Sequence, residues 1–164
     1  MSVMRLSALM MLAIGVLVLG ACSKEKAAEK ALEAASGHKV DIEQGGQSVK
    51  VEGEGFKADL SAASEWPADM YADVPEFTFG KVVRVHRVDE GGAKKFNIFF
   101  TGVTDDCMDR YAETLKQRGW TTQVVSMGGQ GGMVSGEKGG LGINFAHNRA
   151  EKTGMLAAFS SGAE

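Results

Sequence analysis

Two cysteines, Cys22 and Cys107, and three histidines, His38, His86 and His147, are the first residues of this 164-residue chain whose types could carry chemistry. A cysteine can close a disulfide, ligate a metal, act as a nucleophile or accept a covalent group. The histidines fall singly, with no H-x-x-x-H spacing and no paired cysteines beside them, so the sequence indicates no metal site and no cofactor. His86 stands beside Arg84 and Arg87 in a strand-like run, which reads as a solvated edge. Asp105, Asp106 and Asp109 could form an acid pair, but the start of a helix already accounts for three carboxylates there.

Two fragments have the spacing of serine acyl transfer. Ser135-Gly136-Glu137-Lys138 matches S-x-x-K and Lys152-Thr153-Gly154 matches K-T-G, as in penicillin-binding enzymes. That chemistry needs the serine and lysine on one helical turn, in a large domain, with a further S-x-N element between the motifs. Here Ser135 falls in a glycine-flanked strand pattern and no such element intervenes. The run GGQGGMVSGEKGGLG (128–142) lacks the G-x-x-x-x-G-K-[ST] order of a phosphate loop and reads as hairpin turns. No catalytic constellation is left, and the chain is expected not to be an enzyme.

The cysteines remain. Cys22 follows MSVMRLSALMMLAIGVLVLGA, in which Arg5 precedes an unbroken apolar run from Ala8 to Leu19. That run suits a signal-peptide core and is shorter than the ~18 apolar residues of a spanning helix. Leu19-Gly20-Ala21-Cys22 resembles the lipobox of bacterial lipoproteins. The resemblance implies removal of residues 1–21, diacylglycerol on the Cys22 thiol and acylation of the new amino group. It also implies membrane attachment through that lipid, and Ser23, where an aspartate would favour inner-membrane retention, implies the outer membrane. Two or three acyl chains are what lasting attachment requires. With Cys22 so used, Cys107 has no intramolecular partner, and a buried, inert thiol is its expected state.

Hydrophobic and charged fractions of 44% and 24% are those of a globular domain, and a formal charge of −3 offers no basic stripe for nucleic acid. Residues 22–37, the cysteine and SKEKAAEKALEAAS, read as a charged, alanine-rich helical tether. Its apolar face is thin, and Glu25, Glu29 and Glu33 repeat at the like-charge i,i+4 spacing. Residues 38–63 then alternate (Val40/Ile42, Val49/Val51, Phe56/Ala58/Leu60) as a small β-meander that must lean on a larger unit or remain mobile.

Residues 64–164 form the main domain. SEWPADMYADVPEFTFG (64–80) reads as an aromatic strap over a core, with Trp66 and Tyr71 also candidates for an interaction surface. Strand patterns cover 81–88, 95–101, 121–127, 132–136, 141–147 and 154–160, joined by short glycine-rich turns. Between the second and third lies TDDCMDRYAETLKQRGW. Thr104 is the expected N-cap, Cys107, Met108, Tyr111, Ala112 and Leu115 the buried stripe, and Gly119 the left-handed C′ residue with Trp120 beyond it. The expected class is α+β: an antiparallel sheet with one helix packed on one face. The strap, the Tyr111/Leu115/Gly119/Trp120 helix exit and the glycine-punctuated hairpin resemble a group of small uncharacterised bacterial lipoproteins over roughly 64–160. That resemblance implies the fold and no activity.

The functional expectation is a lipid-anchored periplasmic protein with a non-catalytic binding domain for an envelope component. Its surfaces would be the strap and the sheet face where Phe99 points away from Phe96 and Phe100. The alternative is a small-molecule or lipid carrier with its ligand between helix and sheet.

Overall fold

The computed structural model describes residues 21–43 and 48–160. The apolar leader with Leu19 and Gly20 of the lipobox, the QGGQ turn and the last four residues lie outside the described residues. Among those described, no helix is long and apolar enough to cross a membrane.

Among the described residues the fold is mixed α/β, dominated by one antiparallel sheet of nine strands with two α-helices. Helix α1 spans Ala21–Ser36, followed by β1 (Lys39–Glu43), β2 (Ser48–Gly53), β3 (Phe56–Ser61), β4 (Lys81–Glu90) and β5 (Ala93–Thr101). Helix α2 (Cys107–Gln117) leads to β6 (Thr121–Ser126), β7 (Gly131–Lys138), β8 (Leu141–Asn148) and β9 (Thr153–Ser160). The spatial order is β1-β2-β3-β4-β5-β9-β8-β7-β6, so β9 inserts between the N-terminal strands and the C-terminal meander. The first three strands do not form a separate unit, because β3 pairs along its length with β4, from Phe56 opposite Glu90 to Ser61 opposite Val85.

Directly opposed residues of an antiparallel pair share a face, so the register sorts the whole sheet. Val85, Ile98, Leu156, Phe145 and Val134 lie in one row across β4, β5, β9, β8 and β7. All five are fully buried, and they define the core face. The same core cluster holds Cys107, Met108, Tyr111, Ala112 and Leu115, the buried stripe of α2.

The aromatic strap fills the centre of that core. The Phe77 ring lies 4.3 Å from Phe145, 4.6 Å from Phe100 and 5.2 Å from Tyr111, centroid to centroid. Tyr111 donates its hydroxyl to the Pro75 carbonyl at 3.0 Å, and the Trp120 indole donates to the Asp73 carbonyl at 3.2 Å. The polar tips of these two rings thereby find partners.

The ends of α2 show why it stops where it does. Gly119, at φ 79°, donates to the Lys116 carbonyl, and Trp120 N–H reaches back to Leu115 at 3.1 Å. These two bonds make a Schellman motif, closed by Trp120 packing in the same cluster as Leu115. The N-terminus corrects the expectation for Thr104. The cap residue is Asp106, whose carbonyl accepts from Arg110 N–H at 3.2 Å. Thr104 instead donates its hydroxyl to the Asp106 carboxylate at 2.7 Å, which holds that carboxyl below its usual range. The first turn therefore begins two residues later than the sequence suggests.

Candidate functional site

The face opposite the core carries apolar side chains in β1–β3 and in one row across β5–β9, beside a second row that holds Asn97, Asn144, Ser135 and Gln123. In β1–β3 Val40 pairs with Val51, and Val49 with both Ile42 and Leu60; Phe56, opposite Gly53, shares their face, and Leu60 lies opposite His86 of β4. His86 and Arg84 alternate with buried Val85, so this outer face is the reverse of the core face. Beyond them the same face carries a row of Phe99, Met155, Ala146, Met133 and Val125 across β5, β9, β8, β7 and β6. Met133, Val125 and Met155 are 38–44% exposed. The hydrophobic pattern thus switches faces between β3 and β5.

A break in β4 opens this surface. Val82 pairs with Phe100 and Arg84 with Phe99, so Val83 is an extra residue in a β-bulge. Val83 is exposed and, with Phe99, Met127 and Met155, lines a shallow groove of about 660 Å³ at one end of the strands. No carboxylate is among the described residues that line it. Phe99 is half-buried, and its ring meets the His86 ring edge-on at 5.1 Å. Burial first, and the Arg84 charge second, hold His86 below the ordinary histidine value.

The other two candidate surface residues sit elsewhere. Trp66 and Tyr71 both pack against the core cluster from the strap. The Tyr71 ring meets Phe96 edge-on at 5.8 Å, and its hydroxyl donates to the Lys94 carbonyl. They are bound up in holding the strap to the core face, and the structure does not bring them together with Phe99.

A second cleft, about 290 Å³, lies on the core-face side of β2–β4 beneath Asp69 of the strap. Part of its charge is paired: Arg87 reaches Asp69 at 3.1 Å and Asp59 at 3.7 Å, and Lys57 reaches Glu52 at 3.5 Å, while Lys94, Lys95 and Asp89 also line it. Asp59 Oδ1 is buried there without a hydrogen-bond partner.

The residues with chemical potential are dispersed. Cys107 is fully buried, and burial, reinforced by Asp106, pushes its thiol up to about 11. His147 is buried on the core face, nearly parallel to the Phe145 ring, with neither ring nitrogen hydrogen-bonded among the described residues. Burial and then Arg149 lower its pKa, against a smaller opposing effect of Asp105. Ser135 and Lys138 are three apart on one strand and so face opposite ways, with Lys138 tied to Asp73 at 2.6 Å. Among the described residues, no group of three or more His, Cys, Asp or Glu side chains is placed to hold a metal ion.

Sequence reasoning missed one arrangement altogether. Glu33 accepts the Val40 N–H at 3.1 Å, and Glu29 accepts the Ile42 N–H at 2.9 Å. Helix α1 therefore runs antiparallel along the open edge of β1 and occupies the donors that an unpaired edge strand would offer to another chain. The i,i+4 glutamate repeat that weakens an isolated helix is the spacing that meets alternate donors of a strand. No protein-family model, no curated protein and no solved structure matches the chain.

Proposed function

We propose that the chain is a lipid-anchored envelope protein whose sheet domain binds non-catalytically through its outer face. In this reading residues 1–21 are removed, Cys22 carries the lipid, and Ser23 directs the mature protein to the periplasmic side of the outer membrane. Helix α2 is then the one helix laid on the core face, with the strap beside it.

The observation that carries the reading is the uncovered apolar row of Phe99, Met155, Met133 and Val125, opened by the Val83 bulge. Sheet faces left to water normally alternate to polar side chains, and a contiguous apolar patch marks a contact surface. The carrier alternative needs room between α2 and the sheet. That space is occupied by Phe77, Phe100, Tyr111 and Phe145 packed ring to ring.

The test is photo-crosslinking in cells with a benzophenone amino acid at position 99, compared with position 113 on the exposed side of α2. An adduct from 99 that is absent from 113 supports the outer face as the contact surface. No adduct from 99, or the same adducts from both, contradicts it.

A further inference from the structure

The direction of α1 fixes where Cys22 lies relative to the groove. Glu33 meets Val40 and Glu29 meets Ile42, so the helix start points past the Glu43 end of β1. From Glu29 back to Cys22 is roughly 10 Å of helix, or about three residues of strand. The row through Glu43 crosses the sheet by way of Ser48, Ser61, Val85 and Ile98. Phe99 is one row further toward that end and Thr101 three rows. The backbone of residue 22 therefore lies toward the same end of the strands as the groove, four strand spacings or about 19 Å to the side of Phe99.

Charge around the groove points the same way. Lys81 and Arg84, in the strand that carries the bulge, are exposed, as is Lys152 in the turn before Thr153. None of the three is in an ion pair among the described residues. Arg149, close by, is held by Asp105 at 3.8 Å, and Glu151 shares the turn with Lys152. Exposed apolar side chains bordered by unpaired cations suit the boundary between acyl chains and anionic headgroups.

We infer that the outer face docks on a phospholipid surface, with Val83, Met127 and Met155 entering the headgroup boundary and Lys81, Arg84 and Lys152 meeting phosphates. The occupant is the bilayer that holds the lipid on Cys22, so the inference rests on the anchoring and outer-face reading above. Under it, α1 is a strut that sets the domain's orientation, since its glutamates hold it along β1. Attachment through Cys22 and docking through the groove then reinforce each other by proximity.

The experiment uses the full chain, purified from membranes and reconstituted in vesicles of phosphatidylethanolamine and phosphatidylglycerol. An environment-sensitive fluorophore is placed on Met127→Cys or, on the opposite layer, on Glu113→Cys; buried Cys107 stays unlabelled. Brominated lipids are expected to quench the label at 127 several-fold more than the label at 113. The triple variant Lys81→Glu/Arg84→Glu/Lys152→Glu, and high salt, should reduce that difference. Equal or absent quenching at 127, on a chain whose mass shows acylated Cys22, overturns the inference and leaves anchoring intact. A crosslink from position 99 to protein alone also overturns it. An unmodified Cys22 refutes the anchoring reading instead. With Cys22→Ser added to keep the label at one position, selective quenching at 127 by added vesicles would then support the docking face independently, and equal quenching at 127 and 113 would overturn it.

Discussion

Glu29 accepts the backbone N–H of Ile42 at 2.9 Å, and through this contact a helix closes the open edge of the sheet. Glu33 repeats the contact at Val40. Apart from these two glutamates, the described side chains of α1 are exposed, Leu32 among them, so the helix is held by hydrogen bonds more than by packing. Each bond to a partly buried donor is worth about 1 kcal/mol. The double variant Glu29→Ala/Glu33→Ala should leave the core intact while freeing the edge. Amide exchange at Val40 and Ile42 should then accelerate by about tenfold or more, and Glu→Gln at both positions, which keeps an acceptor, should restore part of the protection.

Tyr111→Phe tests the bond between α2 and the strap. It removes one hydroxyl from a fully buried ring and leaves the Pro75 carbonyl without its donor. The expected loss is about 1–2 kcal/mol, read as a lower denaturation midpoint with an unchanged denaturant slope.

Gly132→Ala should be among the most damaging single-methyl changes. The added Cβ would lie 2.3 Å from the Val125 carbonyl and 2.8 Å from Met108 Cε. The methionine can move, but the backbone carbonyl belongs to the adjacent strand, so β6 must shift. A cost of about 1–3 kcal/mol is expected, against a smaller one for Gly136→Ala, whose nearest neighbour is a side-chain atom at 3.1 Å. Thermal denaturation of the two variants side by side reads the difference.

His147 predicts an acid-side loss of stability. Its folded pKa lies below the unfolded value because burial and Arg149 disfavour the cation. Above the unfolded value of about 6.5 the ring is neutral in both states and stability is unaffected. As the pH falls below it the unfolded chain binds the proton first, so stability declines until the folded ring also protonates. His86 shifts in the same direction, so comparison with His147→Phe isolates the contribution. The variant should show a shallower decline between pH 6.5 and 5 and no loss at neutral pH, since neither ring nitrogen has a partner to lose.

Cys107 should resist alkylation in the folded protein. With the side chain fully buried and its pKa raised to about 11, little thiolate exists at pH 8 and none is accessible. Iodoacetamide should modify it only after denaturation; rapid modification of the native protein would point to a reactive thiol.

Much of the core was legible because β5 and β8 alternate cleanly. Phe96, Ile98 and Phe100, and Leu141, Ile143 and Phe145, were assigned to one side of their strands before any register was known. Gly119 and Trp120 announced the end of α2, since a left-handed residue followed by a large apolar one is a local signal. Alternation, however, gives the two sides of a strand without saying which side faces the core. The apolar sides of β1–β3 therefore could not be placed on the reverse of the sheet until β3 was paired with β4. The role of Glu29 and Glu33 was hidden for the same reason, as their partners Ile42 and Val40 become neighbours only when α1 folds back. Thr104 has the residue type of a cap, but its hydroxyl donates to the Asp106 carboxylate and the helix starts with Asp106 as its cap residue.

Anchoring and orientation of the domain both hang on Cys22, whose state is read by intact-mass and N-terminal peptide mass spectrometry of the protein from the membrane fraction. The predicted result is a chain beginning at Cys22 and carrying a diacylglycerol thioether with an acylated amino group. A chain that retains residues 1–21 with an unmodified Cys22 thiol would contradict it.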